Sequence, residues 1–152
     1  MKGARGVVFG WDSPMVTSDR VVSAQSLSGG GALRLLMEFL KDHRPAAFYH
    51  SDPTWGNHPE ILKKVGIPVV KKYRYYHEET RGLDFEGMME DLTNAEEGAC
   101  ILFHTCAHNP TGVDPNMEQW IKIAEVCKAR SLYPFFDTAY QGFVTGDLAL
   151  DG

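Results

Sequence analysis

Hydrophobic and polar positions follow two alternating periods along the chain. Val21-Val22-Ser23-Ala24-Gln25 is a short β-branched run, ended by Ser28 and by Gly29-Gly30-Gly31. From Ala32 the period turns helical, with Leu33, Leu36, Met37 and Leu40 at i, i+3, i+4 and i+7. Ala46 to His50 reads as a second strand, closed by Asp52-Pro53. Pro59 suits the first position of a helix whose apolar face is Ile61, Leu62 and Val65, and Gly66 ends it. Val69 to Tyr76 is strand-like, and Asp84 can cap a helix carrying Phe85, Met88, Met89 and Leu92. Ala99-Cys100-Ile101-Leu102-Phe103 is a continuous apolar run, the mark of a strand covered on both faces. Asp114-Pro115 opens a helix striped by Trp120, Ile123, Ala124 and Cys127, and Tyr133-Pro134-Phe135-Phe136 forms a last strand ending at Asp137. The pattern predicts strands near 21–25, 46–50, 70–76, 99–104 and 133–137, and helices over about 31–43, 59–65, 85–94 and 116–130.

Such alternation predicts an α/β fold with a mainly parallel sheet and flanking helices. Ligands in such sheets sit beyond the carboxyl ends of the strands. The unusual local sequences fall there: Ser28 to Gly31, Pro53 to His58, His108-Asn109-Pro110-Thr111-Gly112, and Asp137 to Gly142. These loops are expected to converge on one edge.

Composition narrows the classes. The chain has 152 residues, 43% of them apolar and 23% charged, which is globular rather than disordered. No linker or repeat interrupts it, so one domain is expected. A net charge of −5 argues against nucleic acid as a partner. No apolar stretch approaches the roughly 18 residues that span a bilayer, so no membrane is expected. Val7, Val8 and Phe9 are too short a run for a signal-peptide core. An odd set of three cysteines, Cys100, Cys106 and Cys127, matches no disulfide staple and suits a reduced, intracellular chain.

Each candidate has a plainer alternative. Ser28 to Gly31 either brings backbone N–H groups up to an anion or is only a tight strand-to-helix turn. Trp55 either stacks on a planar ligand or packs. His104, Cys106 and His108 at period two would share one strand face, which makes a conceivable zinc set or merely lines a buried strand end. Asp137 follows an apolar run at a strand end, where a carboxylate needs a partner such as a cationic ring nitrogen; a helix N-cap would satisfy it equally. Lys71-Lys72 and Glu78-Glu79 read as solvated surface, and Tyr73, Tyr75 and Tyr76 as strand packing.

The motifs Gln25-Ser26-Leu27-Ser28-Gly29, Pro53-Thr54-Trp55-Gly56-Asn57-His58, Lys72 to Tyr76, Arg81 to Phe85, Cys106 to Pro115, Pro134 to Asp137 and Ala139 to Phe143 occur in one order. Together, from about Val7 to Leu148, they resemble the central part of the large domain of the aspartate aminotransferases, fold-type I enzymes dependent on pyridoxal phosphate. The resemblance implies that Asp137 pairs with the pyridine nitrogen, that Tyr140 and Asn109 donate to the ring's phenolate oxygen, and that Trp55 stacks on the ring. Trp55 and Asn109 would also hold the substrate α-carboxylate. Ser28, Gly29 and Gly30 would receive the cofactor phosphate, and His58 would orient Asp137 from behind. Pro53 and Pro110 match positions of cis peptide bonds. The implied reaction is aspartate plus 2-oxoglutarate to oxaloacetate plus glutamate, with amino acids and 2-oxo acids as partners and a homodimer as the assembly.

Two departures accompany the resemblance. Gly30 stands where the family usually has Thr. The family's Schiff-base lysine belongs to a Ser-x-Ser-Lys-type segment, and none of Lys63, Lys64, Lys71, Lys72, Lys122 or Lys128 sits in one. Residues 1–152 therefore read as a single partial domain of the fold-type I transferase fold, with the small domain and the catalytic-lysine segment absent, no catalytic residue of its own and no metal. On its own such a piece is expected to be inactive. The alternatives are a non-catalytic remnant that only folds or associates, and a metal site at His104, Cys106 and His108. The expected compartment is cytoplasmic, with mitochondrial open.

Overall fold

The computed structural model describes residues 2–18 and 20–152. The elements run α1 Lys2–Phe9, α2 Pro14–Thr17, α3 Ser28–His43, β1 Phe48–Asp52, α4 Asn57–Val65, β2 Val70–Arg74, β3 Tyr76–His77, β4 Gly82–Leu83, α5 Phe85–Thr93, β5 Cys100–His104, α6 Met117–Ala129, β6 Tyr133–Asp137 and α7 Leu148–Asp151. The α/β reading holds. Four strands form one parallel sheet in the order β2-β1-β5-β6. Phe48 pairs with Val70 on one side and Cys100 on the other, and Cys100 pairs with Tyr133.

Every residue of β5 is buried, as its uninterrupted apolar run requires. Its side chains alternate between two cores. Ile101 and Phe103 pack with Met88, Leu92, Ile123 and Cys127 under α5 and α6. Cys100 and Leu102 pack with Leu33, Met37, Leu40, Leu62 and Val65 under α3 and α4. Gly66 ends α4 in the left-handed conformation that favours glycine (φ 80°), Asp84 caps the start of α5 by accepting from the Gly87 N–H, and Asn116 with Gln119 opens α6 in a reciprocal capping box. Cys100, Cys106 and Cys127 are free thiols, all buried. Among the described residues no helix is long and apolar enough to cross a membrane.

Several expectations need correction. No strand forms at 21–25. The β-branched run reports local preference, but a strand needs a ladder, and both sides of β1 are already taken by β2 and β5. The segment runs unpaired, with Val22 93% exposed and Ser23 accepting from the Arg5 guanidinium at 2.8 Å. The second strand begins two residues later than expected, at Phe48. The third breaks at Tyr75, after which Tyr76–His77 pairs antiparallel with β4. Helix α3 starts at Ser28, so the three glycines form its first turn instead of a loop. Asp114-Pro115 does not open α6, whose N-cap is Asn116.

Candidate functional site

A cleft of about 180 Å³ lies at the carboxyl edge of the sheet. It is lined by Gly29, Trp55, His104, Asn109, Asp137, Ala139 and Tyr140. The parallel sheet brings the ends of β1, β5 and β6 together here, and α3, running into β1, presents its N-terminus to the same edge. Both Asp52-Pro53 and Asn109-Pro110 are cis, at the two positions the resemblance marks. The structure gathers five of the seven expected cofactor contacts on the wall. Ser28 and Gly30 belong to the same helical turn as Gly29 but do not line the cleft. That turn carries no capping side chain and no acidic residue. Its first N–H groups, which have no intrahelical partners and form the positive end of the helix dipole, are left without a side-chain cap.

Behind the wall, polar groups are linked in a row. The Asn109 backbone N–H donates to Nδ1 of His104 at 3.4 Å. Burial pushes His104 down to about 4, so its ring is neutral near pH 7. With Nδ1 accepting, the ring proton sits on Nε2, which donates to Thr54 Oγ1 at 3.2 Å. Thr54 Oγ1 also bonds Nδ1 of His58 at 2.8 Å, and His58 Nε2–H donates to Asp137 Oδ2 at 2.9 Å. The Asn109 N–H can only donate and the Asp137 carboxylate can only accept, so the row is anchored at both ends. The His58 side chain is fully buried and that of Asp137 is 22% exposed, so the carboxylate meets the cleft from a supported position. The Trp55 ring stands edge-on to His58 at 5.4 Å.

A second polar cluster holds the Asn109 loop. His108 bonds Ser51 Oγ through Nε2 (2.9 Å) and Thr111 Oγ1 through Nδ1 (2.8 Å), and Tyr75 stacks on its ring at 3.8 Å. Burial, with His104 beside it, pushes His108 down to about 3. Tyr140 is 41% exposed on a loop whose later N–H groups, at Gly142, Val144 and Thr145, converge on Asp151.

The period-two zinc set does not form. β5 ends at His104, and the chain bends through Ala107 at φ 47°, which breaks the alternation. His104 and His108 are each engaged by hydrogen bonds, and Cys106 lines a separate groove with Trp120 and Phe136. Among the described residues no group of three His, Cys, Asp or Glu could hold a metal ion. Sequence reasoning missed Thr54 and the part His104 plays in the wall. Thr54 gives no signal beyond its place in the loop, and for His104 the sequence offers only a metal set or the lining of a buried strand end.

The family described as aminotransferase class I and II matches residues 7–151. A rice (Oryza sativa subsp. japonica) protein named cytoplasmic aspartate aminotransferase is 50% identical over 146 residues, covering 95% of this chain and 36% of the relative. The crystal structure of aspartate aminotransferase from Trypanosoma cruzi superposes with a TM-score of 0.94 at 44% identity, covering 99% of this chain and 38% of that one. An aromatic-amino-acid aminotransferase from Burkholderia pseudomallei, described as covalently bound to pyridoxal phosphate, gives 0.93 at 43% identity over 97% of this chain and 37% of its own. The chain thus spans a little over a third of the length of these proteins.

Proposed function

The chain belongs to the class I and II aminotransferases, and we propose that it supplies the wall that holds pyridoxal 5'-phosphate in an aspartate-type aminotransferase. The observation that carries this reading is the hydrogen-bonded row that ends on Asp137 at the wall of the cleft. It leaves a carboxylate aimed at a site framed by an aromatic ring, two polar side chains and a helix N-terminus.

The donor set suits the cofactor. A protonated pyridine nitrogen needs a charged acceptor, and Asp137 is one, kept in place by His58. A phenolate oxygen needs donors, which the Asn109 amide and the Tyr140 hydroxyl provide. A phosphate dianion suits the open N–H groups of Ser28, Gly29 and Gly30. Trp55 offers a ring face, and with Asn109 it would receive the substrate α-carboxylate. When bound, the cofactor supplies an electron-poor ring that stabilises negative charge developing on the substrate α-carbon. Asp137 makes that possible by holding the proton on the ring nitrogen. His58 keeps Asp137 in its acceptor role by donating to Oδ2.

Aspartate and 2-oxoglutarate are the proposed substrates, on the names of the rice and trypanosome relatives, and the rice name supports a cytoplasmic location. Homodimer assembly is supported by apolar side chains left open, Val22, Leu27 and Phe143, each at least 87% exposed. Residues 1–152 are read as part of one large domain. Among the described residues no lysine lines the cleft, so this 152-residue polypeptide alone is expected to bind the cofactor reversibly and to turn over nothing.

Titration of the polypeptide with pyridoxal phosphate, followed by tryptophan quenching, tests the reading. Asp137→Ala should weaken binding at least tenfold, since a charge-assisted hydrogen bond contributes about 1.5–3 kcal/mol. Equal binding by the variant overturns the ring assignment. One stoichiometric lysine label after borohydride, with turnover of aspartate and 2-oxoglutarate, overturns the expected inactivity.

A further inference from the structure

Tyr140 meets the cleft from a stretch of chain that has left the sheet. The last bonds to the β5 side are the Thr105 N–H donating to the Asp137 carbonyl at 3.1 Å and the Thr105–Thr138 hydroxyl pair at 2.6 Å. Among the described residues none hydrogen-bonds the Tyr140 hydroxyl, so the place of that side chain depends on the backbone that carries it. That backbone opens a turn. The Phe143 N–H donates to the Tyr140 carbonyl at 3.0 Å, and Gly142 stands at φ 87° in the left-handed region. Asp151 holds the turn from outside it. Its Oδ2 accepts from the Gly142 N–H at 2.8 Å and from the Val144 N–H at 3.0 Å. Its Oδ1 accepts from the Thr145 N–H at 3.1 Å and from the Thr145 hydroxyl at 2.7 Å. Four donors from three residues thus meet on one carboxylate, in a residue only 6% exposed. The Thr145 hydroxyl first, and then the N–H groups, hold that carboxyl below the ordinary aspartate range. Asp151 is itself fixed: its N–H donates to the Asp147 carbonyl at 3.2 Å, and Asp147 caps α7 by accepting from the Ala149 N–H at 2.7 Å. Tyr140 is therefore slung between two anchors, Thr138 on the sheet and Gly142 on Asp151.

We propose that Asp151 is a positioning residue for Tyr140: by gathering the N–H groups of Gly142, Val144 and Thr145 it fixes the turn that Tyr140 opens, and so sets where the Tyr140 hydroxyl stands in the cleft. A carboxylate suits this part because it can only accept, and each of its oxygens takes two of the four donors. An amide in its place keeps one acceptor oxygen and sets an NH2 group against N–H groups that need an acceptor. The turn then loses its anchor on that side. Asp137 does not, because Thr105 and His58 still hold it. Two neighbouring polar groups of the wall are thus placed independently, Asp137 by the sheet and His58, Tyr140 by Asp151. The consequence for cofactor binding rests on the ring contacts proposed above; the placing of the Tyr140 side chain does not.

The test is fluorine NMR of the 152-residue chain grown with 3-fluorotyrosine, in which Tyr140→Phe identifies the Tyr140 line among those of the six tyrosines. In the parent chain that line should be single and sharp. In Asp151→Asn it should broaden or move towards the position of free fluorotyrosine, while the lines of the buried Tyr49, Tyr73 and Tyr75 stay in place. Thr145→Val, which removes one of the four donors, should act in the same direction by less, and it supplies the measurement if Asp151→Asn fails to fold. Pyridoxal phosphate binding, followed by tryptophan quenching, gives the second readout. Asp151→Asn should weaken binding about fivefold in the parent chain. In a chain already carrying Tyr140→Phe it should cost less than about twofold, because a residue that acts through Tyr140 has nothing left to act on. A merely structural role lowers the melting temperature and leaves the Tyr140 line where it was. An unmoved line in a folded Asp151→Asn overturns the proposal, as do buried tyrosine lines that move with it or equal binding losses in the two backgrounds. A moved Tyr140 line in a chain whose parent form binds no pyridoxal phosphate supports Asp151 as the clamp and overturns the cofactor reading alone.

Discussion

At one end of the cleft, Thr54, His58 and His104 pass hydrogen bonds through buried groups to Asp137. At the other, α3 opens on three consecutive glycines, a left-handed Ser28 at φ 59° and no capping side chain. The first end is held by bonds already made within the chain. The second omits what usually secures a helix start: glycine costs about 1 kcal/mol per position against alanine, and a missing cap costs about as much again. None of the three glycines is required sterically, since an added Cβ at Gly29 or Gly30 meets nothing within 4 Å and at Gly31 makes only ordinary contacts of 3.7–3.8 Å. One end therefore selects by fixed geometry. The other is a weak turn whose lacking component is negative charge, which an anion can bring.

The largest effect that would break this contrast is expected at Thr54. Thr54→Val keeps the shape and removes the hydroxyl that serves two buried ring nitrogens. Each orphaned group costs about 1–3 kcal/mol, so urea unfolding should show a loss of about 2–6 kcal/mol. A loss below about 1 kcal/mol would mean that the polar end is not held by its bonds.

A smaller and graded effect follows from pH. His104 and His108 lie below the ordinary histidine range in the folded chain, at about 4 and about 3, because burial penalises the charged ring. The unfolded chain takes up protons first, near pH 6.5. Stability is therefore full above that value and falls as pH drops from 6.5 towards 4, by up to about 1.4 kcal/mol per pH unit for each histidine. His108→Asn should flatten the decline in denaturant midpoint with pH. A flat wild-type profile over that window would contradict the neutral, buried rings of His104 and His108.

The smallest effect belongs to the glycine end. Gly30→Ala should raise stability by about 0.5–1 kcal/mol, because the backbone is helical there and the added methyl group has room. A destabilised variant would show that this turn is constrained after all and would erase the difference between the two ends.

Elements whose order comes from burial were legible in the chain. The run from Ala99 to Phe103 announced β5, and the stripe of Leu33, Met37 and Leu40 announced α3, because a core face imposes its period on the residues that fill it. Val21 to Gln25 misled because β-branched side chains state a preference, whereas a strand also needs a free edge beside it. Helix α1 was missed because Lys2–Phe9 carries two glycines and has no stop signal before Gly10. In the site, Trp55, Asn109, Asp137 and Tyr140 could be placed on one edge because parallel strands end together. Thr54 could not, because its part depends on a partner 50 residues away, which no local pattern encodes.

The three free thiols make the molecule a clock for its own opening. Reagents attack thiolates, and burial raises all three cysteines above their ordinary range, Cys127 to about 11. Labelling must therefore wait for a fluctuation that admits water. Cys100 lies in β5, hydrogen-bonded between β1 and β6, and Cys127 lies on α6 against the Phe103 side of the core. Cys106 sits on the bent segment next to a groove. Modification should proceed in the order Cys106, Cys127, Cys100, and the slowest rate measures how often the sheet itself comes apart.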